Sequence, residues 1–351
     1  MKSLILLILL SFTSFSLPQE VYIQIFGDVR ASYSSREGRA DFILGDADLL
    51  TFLTHGHLKG LLEVYLEQPE GRADLERGYV EVSFGSVYLK VGKFHSPIGY
   101  FNQKWHHGLY LMTPIDRPQI VNFEDEGGPL PVHLVGVEVG WESEVFGKKI
   151  GLKGGVGNGN LQLGSENTAD FDSKKSFLGK AYLLWDPFSE IGISFGYDPM
   201  EVSDPDVGYV RTENYMFGLH LARRKPGSLE LNGEVYLLKE NVSGKFGSGG
   251  FLLLSFPVYK GGFWGEVRPY GMVDFLTWEE GNTWFEKVSE KLRAEGEDQV
   301  LSRRARYTLG VRVQPSLYFS GKVEVSYEDG KDTGGLWTLR VFLGFGVPVV
   351  R

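Results

Sequence analysis

Apolar and polar residues alternate with a period of two along most of the chain from Glu20 onward. In the last such segment Trp337, Leu339, Val341, Leu343, Phe345 and Val347 are apolar, while Thr338, Arg340, Gly344 and Gly346 between them are small, polar or charged. Side chains spaced this way lie on opposite faces of a strand, not along one stripe of a helix. The pattern predicts sixteen strands, roughly 21–33, 40–53, 58–68, 78–84, 87–95, 132–141, 149–157, 176–185, 190–197, 209–223, 228–241, 249–259, 267–278, 301–313, 317–327 and 336–349. Short connections rich in Gly, Pro, Asp and Ser, at 54–57, 85–86, 146–148, 186–189, 225–227, 260–262 and 314–316, alternate with mostly longer ones at 68–77, 96–131, 158–175, 198–208 and 279–300. Short turns on one rim and long loops on the other describe an all-β fold, a transmembrane antiparallel β-barrel of about 16 strands with long extracellular loops and short periplasmic turns.

The start of the chain departs from this rhythm. Met1-Lys2-Ser3, then Leu4 to Leu10, then Ser11 to Ser16 make a basic end, a short apolar core and small residues, so residues 1–16 are expected to be a signal peptide and 17–351 the barrel. The apolar core is shorter than the ~20 residues a membrane-spanning helix needs. The expected location is therefore the bacterial outer membrane.

Parity assigns the faces. Val21, Ile23 and Ile25, Leu62, Val64 and Leu66, Ile191, Ile193 and Phe195, and Leu309, Val311 and Val313 are expected to meet lipid. Their alternates point inward and include Glu63, Lys90, Glu138, Lys153, Lys180, Glu234, Asp274, Arg304, Arg306, Arg312, Lys322, Glu324 and Arg340. Isolated buried ions cost several kcal/mol each, so such an inner wall needs water or internal pairing. Trp141, Trp185, Tyr197, Trp278, Tyr307, Tyr327 and Trp337 fall near strand ends, where interfacial girdles or ordinary cross-strand packing would place them.

Composition narrows the function classes. The chain has no cysteine, which removes disulfides and thiolate metal sites, and its formal charge of -9 offers no basic face to nucleic acid. A mean hydropathy of -0.14 is low for a helical membrane protein and ordinary for a barrel whose strands are half wetted. His55 with His57, and His106 with His107, are the imaginable catalytic or metal pairs. No Gly-x-Ser-x-Gly elbow, His-Glu-x-x-His helix or phosphate-cradling loop accompanies them, so neither an enzyme nor a cofactor is expected.

Two connections carry further information. Within 279–300, Trp284, Val288 and Leu292 recur at fourfold spacing after a candidate cap at Asn282, predicting a short helix over 283–298 at the outer mouth. The longest connection, 96–131, holds Lys104, Trp105-His106-His107, Asp116-Arg117-Pro118, the acidic run Glu124-Asp125-Glu126, and prolines 97, 114, 118, 129 and 131 that stiffen it. It is the candidate constriction loop, because a long polar loop in a wide barrel can fold into the lumen.

Gly92-Lys93-Phe94-His95-Ser96-Pro97-Ile98-Gly99, then Arg117-Pro118, then Val135-Gly136-Val137 at the return strand resemble the phosphate-selective porin O and P family of bacterial outer membranes. The resemblance implies a sixteen-stranded, generally trimeric channel whose third loop constricts the pore. It also implies anion passage along an arginine ladder and a narrow lysine zone. The loop here carries a single lysine, Lys104, and carboxylates stand among the inward cations, so the residues themselves describe a general or weakly selective pore for small hydrophilic solutes and ions. The candidate pore-lining set is Arg304, Arg306, Arg312, Lys322 and Arg340 on the last three strands, with Lys104, Arg117, Glu124, Asp125 and Glu126 from the loop. Either the acidic run faces the arginines across the lumen and sets up a transverse field, or the arginines pair with Glu324, Glu234 and their neighbours as a wall network. The expected partners are outer-membrane lipid, the solutes, and two further copies in a homotrimer. The rival readings are a loop-plugged structural or adhesive barrel, an outer-membrane enzyme, and a specific transporter.

Overall fold

The computed structural model describes residues 20–36, 38–67, 72–105, 112–123, 127–158, 174–204, 208–294, 303–330 and 335–350. The signal segment 1–16, the pair His106 and His107, and the acidic run Glu124, Asp125 and Glu126 lie outside them.

The alternating segments become β1 (Glu20–Ser34), β2 (Arg39–His55), β3 (Leu58–Glu67), β4 (Arg72–Phe84), β5 (Val87–His95), β6 (His133–Val145), β7 (Lys148–Asn158) and β8 (Lys175–Asp186). They continue as β9 (Ser189–Asp204), β10 (Gly208–Arg224), β11 (Glu230–Glu240), β12 (Phe246–Ser255, resumed as Tyr259–Gly261), β13 (Gly265–Trp278), β14 (Arg304–Ser316), β15 (Phe319–Gly330) and β16 (Leu336–Val350). Both pieces of β12 pair with β13, Ser255 opposite Tyr270 and Tyr259 opposite Val267, so 17 hydrogen-bonded segments make 16 staves. Pro257 lies in the gap and has no N–H to give the ladder.

Every stave is antiparallel to the next, and β1 closes the sheet by pairing with both β2 and β16, Val29 lying opposite Leu44 and Leu343. Closure leaves no exposed sheet edge. The predicted parity holds. Leu309 is 72% exposed and Phe195 57% exposed on the outer face, whereas Glu138 at 1% and Asp274 at 0% are buried on the inner one. Phe342 breaks the polar alternation of β16 and is fully buried inside against Phe26 and Ile115.

Some boundaries move. The β9–β10 ladder continues to Asp204 opposite Gly208, and β4 begins at Arg72, so the two expected loops at 198–208 and 68–77 are mostly paired strand. Turn residues and alternation are read within one segment, whereas these ladders are set by pairing with the neighbouring stave, Met200 lying opposite Thr212 and Leu75 opposite Val64. β16 continues to Val350 through a register shift beside Ile23 and Gln24, so the last residues extend the final stave rather than leave it.

The mouth helix forms as α2 (Thr283–Ala294); positions 295–298 of the expected range lie outside the described residues. Asn282 Oδ1 accepts the Phe285 N–H at 3.3 Å, and Glu286 Oε1 accepts the Gly281 N–H at 2.6 Å, a reciprocal cap. Trp284, Phe285 and Val288 are buried. Trp278, expected near a girdle, instead stacks on Phe285 inside the mouth, with ring centroids 4.5 Å apart.

Gly92 sits in β5 at φ 136°, and a Cβ there would lie 2.2 Å from the Gly78 carbonyl oxygen and 2.7 Å from Tyr79 Cα. Both obstacles are backbone, so Gly92→Ala is expected to cost more than about 2 kcal/mol. The check is the urea midpoint for loss of the heat-resistant folded band on a gel, which should fall below that of the unsubstituted protein.

Candidate functional site

The longest connection leaves the wall at Ser96, enters the barrel and returns at Val132. Its neck is closed where the Ser96 N–H donates to the Val132 carbonyl at 2.9 Å and Ser96 Oγ donates to the Pro131 carbonyl. Asn102 Nδ2 donates to Ser96 Oγ at 3.1 Å and to the Val132 carbonyl at 3.0 Å, tying the first turn of the loop across that neck.

The first arm holds the single helical turn α1 (Phe101–Lys104) and docks on β8, β9 and β11. Glu234 Oε1 accepts the N–H groups of Tyr100 and Phe101 at 2.9 and 2.5 Å, while Glu234 Oε2 accepts the Tyr236 hydroxyl at 2.6 Å. Lys180 Nζ donates to the Gly99 carbonyl at 2.6 Å, and the Gly99 N–H donates to Ser194 Oγ at 2.9 Å. Only glycine fits this contact: at φ +63°, a Gly99 Cβ would lie 2.2 Å from the Tyr236 hydroxyl oxygen.

The second arm crosses to the last staves. Thr113 Oγ1 donates to Glu230 at 2.6 Å, the Ile115 N–H to Glu324 at 2.9 Å, and Lys322 Nζ to the Pro114 carbonyl at 3.0 Å. Asp116 receives Arg306 Nη1 at 2.9 Å and Arg340 Nη1 at 2.8 Å. Arg306 Nη2 also donates to the Arg117 carbonyl, and the Gln119 N–H donates to Asp274. Beneath these bonds Ile98, Phe101, Trp105, Ile120 and Leu130 pack with the wall residues Leu134, Leu178, Met216, Phe251 and Leu276. The loop satisfies its backbone with wall charges, and the wall charges are in turn paired by the loop, as burial of both demands.

The expected set divides accordingly. Arg306 and Arg340 meet the loop at Asp116, while Arg304 bonds Gln119 Oε1 at 2.7 Å and Glu328 at 2.8 Å. Arg312 donates to Ser320 Oγ, and Lys322 lies 4.4 Å over the Phe342 ring. These groups join a paired network of wall and loop, the second of the two readings of the arginines. Arg117 does not line a pore: it is buried, donates to the carbonyls of Trp105 and Val121, and stacks over Phe123 at 4.2 Å. Lys104 sits over the Tyr100 ring at 6.0 Å. Glu124, Asp125 and Glu126 are outside the described residues.

Beside those of the network, partly exposed charged groups line the inner face of the early staves. There Arg30 pairs with Asp28, Lys59 with Glu81, Arg77 with Glu63, and Lys90 with Glu138. Lys153 on β7 forms no ion pair among the described residues; its polar contact is Gln103 Oε1 at 3.5 Å, an oxygen it shares with Lys180 at 3.2 Å. The fields of Lys180, Lys90 and Lys104 reach it, opposed by that of Glu138. Tyrosine faces surround the group, Tyr182 lying 5.4 Å from Lys153 Nζ and Tyr79 5.1 Å from Lys90 Nζ. Parity marks these lysines as inward but gives no sign that staves three apart and a loop helix bring them together.

Neither a family model nor a curated protein matches the chain. Solved structures do. A loop-deletion variant of OmpT, an outer membrane protein of Vibrio cholerae, aligns over 93% of this chain and 99% of its own at 11% identity, with a TM-score of 0.62. An anion-selective porin from Comamonas acidovorans aligns over 93% and 99% at 16% identity, with a TM-score of 0.61. OprB from Pseudomonas putida aligns over 93% and 94% at 10% identity, with a TM-score of 0.56. At these identities the likeness is one of fold: a closed 16-stranded antiparallel barrel.

Proposed function

We propose that the protein is an outer-membrane channel, not an enzyme, that passes small hydrophilic solutes and ions along the lysine-bearing side of its lumen with a preference for anions. The observation that carries this reading is a barrel apolar outside and ionic inside, with a loop fastened to the later staves while Lys153 is left without a carboxylate partner on the earlier ones. A passing anion supplies the missing opposite charge; a cation meets the charges of Lys153 and Lys104, which form no ion pair among the described residues, whereas Lys90 and Lys180 are paired with Glu138 and Glu190. Similarity in fold to a porin described as anion-selective agrees with this direction, as does the resemblance of the loop motif to the phosphate-selective family. Phosphate itself is one candidate among small anions. Assembly as a homotrimer is part of the proposal, and a trimer form occurs among the structures of similar fold.

A second reading has its own observation. Ile98, Phe101, Ile115 and Ile120 of the loop are all buried within the lumen, as the filling of a plugged barrel would be. Planar-bilayer recording separates the two. Stepwise ohmic conductance with a reversal potential of anion-preferring sign is the expected result; folded trimers that insert and stay silent would favour the plug.

A further inference from the structure

The outer face carries a feature that a channel does not require. Across β7–β12 the apolar wall is notched into an open groove of about 770 Å³, with a lining almost wholly apolar. Its floor is made by the small outward residues Ala181 and Gly233, and its sides by larger ones such as Ile191, Ile193, Leu221 and Leu252. The neighbours of Gly233 leave little room there: an added Cβ would meet Leu252 Cδ1 at 3.2 Å.

The short-turn end of the groove is basic. Arg223 lies opposite Leu231, a lining residue, and one outward step beyond Leu221 on the same face of β10. Lys148 is one outward step beyond Ile150 on β7, where its Nζ donates to the Trp185 carbonyl at 2.8 Å. Lys225 follows in the next turn. Arg223 and Lys225 form no hydrogen bond or ion pair through their side chains among the described residues. The carboxylate within their field is Asp186, already occupied by the Phe188 N–H at 2.7 Å and the Ser189 hydroxyl at 2.9 Å. Three cations against one committed carboxylate leave this rim positive.

We infer that the groove is a binding site for a single anionic phospholipid, one acyl chain lying over Ala181 and Gly233 and the phosphate meeting Lys148, Arg223 and Lys225. The inference rests on the membrane-channel reading above. The occupant follows from the order of the two surfaces along the stave: apolar at mid-wall and cationic toward the turns, which is the order of chain and headgroup in a leaflet. The surface of a second copy would have to bring carboxylates to Lys148, Arg223 and Lys225, whereas a lipid phosphate brings its charge at the required height.

The test uses the full folded protein in micelles doped with equal amounts of phosphatidylglycerol and phosphatidylcholine, with retained lipid counted by native mass spectrometry. The unsubstituted protein should retain phosphatidylglycerol in preference. Lys148→Ala with Arg223→Ala, both surface changes, should lower that preference by about thirtyfold, since each of the two cations near an anionic lipid contributes about 1 kcal/mol. Ala181→Phe should reduce retention of both lipids by filling the floor. Equal retention of the two lipids by the unsubstituted protein, or a preference unchanged in the charge variant, would overturn the site while leaving the channel intact. Protein that carries no lipid and changes from trimer to monomer on Ala181→Phe would instead make the groove a subunit contact and overturn it too. Failure to insert into vesicles at all would remove the channel reading and this site with it.

Discussion

Replacing Lys153 with glutamate should convert an anion-preferring channel into a cation-preferring one. Four cation–carboxylate pairs on the early staves balance one another, and beside them Lys153 forms no ion pair among the described residues. A unit charge 4 Å from a passing ion is worth about 1 kcal/mol in bulk water and about 4 kcal/mol at an effective dielectric constant near 20. A narrow wet passage lies between those limits, and the substitution reverses the charge rather than removing it. The anion-to-cation permeability ratio should therefore fall at least about tenfold, an energy of about 1.4 kcal/mol, with Lys153→Gln in between. The measurement is the reversal potential across a salt gradient. A ratio that stays the same in both variants would place the conducting path away from β7 and refute the lysine assignment.

Glu234→Ala should release the loop's first arm and widen the channel. One carboxylate holds the N–H groups of Tyr100 and Phe101 and the hydroxyl of Tyr236, so its removal leaves three donors without an acceptor inside the barrel. Hydrogen bonds to charged groups are worth about 1.5–3 kcal/mol each, and an orphaned buried donor adds to the loss. The stave ladders do not depend on Glu234's side chain, so the barrel should stay closed while the arm detaches. Single-channel conductance is expected to rise severalfold, and Lys104 should become a site of tryptic cleavage while the barrel resists. Glu234→Gln, which keeps an acceptor and loses the charge, should show a smaller rise. Unchanged conductance in Glu234→Ala, with cleavage at Lys104 observed, would mean that the arm does not restrict the path.

How much of the fold was legible depended on whether a residue's role is expressed in its own segment. Period-two alternation is a property of each stave, so the sixteen strands, their faces and the inward charges could be read locally, as Leu309 and Asp274 illustrate. The ladder beyond Asp198 could not, because Pro199 and Pro205 mark a loop locally while the pairing that continues the strand is made with the neighbouring stave. Trp278 was ambiguous for a related reason: a strand-end aromatic suits an interface or an interior equally, and Phe285 of α2 settled which.

The loop divided along the same line. Its length, prolines and charges marked it as the candidate constriction, but nothing within it named its anchors. Glu234 and Tyr100 are 134 positions apart, and Arg306 and Asp116 are 190 apart. Arg117 looked like a pore charge and is an internal tie, since only the folded loop brings the carbonyls of Trp105 and Val121 to its guanidinium.

By itself, then, the amino-acid order determined a closed sheet with a greasy exterior, an ionic interior and one long segment beside it, because alternation and turn chemistry act over neighbouring residues. Which charges are paired and which stand alone was decided by the tertiary structure: barrel closure and the inward path of the loop bring together side chains from distant staves, and charge balance inside a lumen is a property of that neighbourhood and not of any segment.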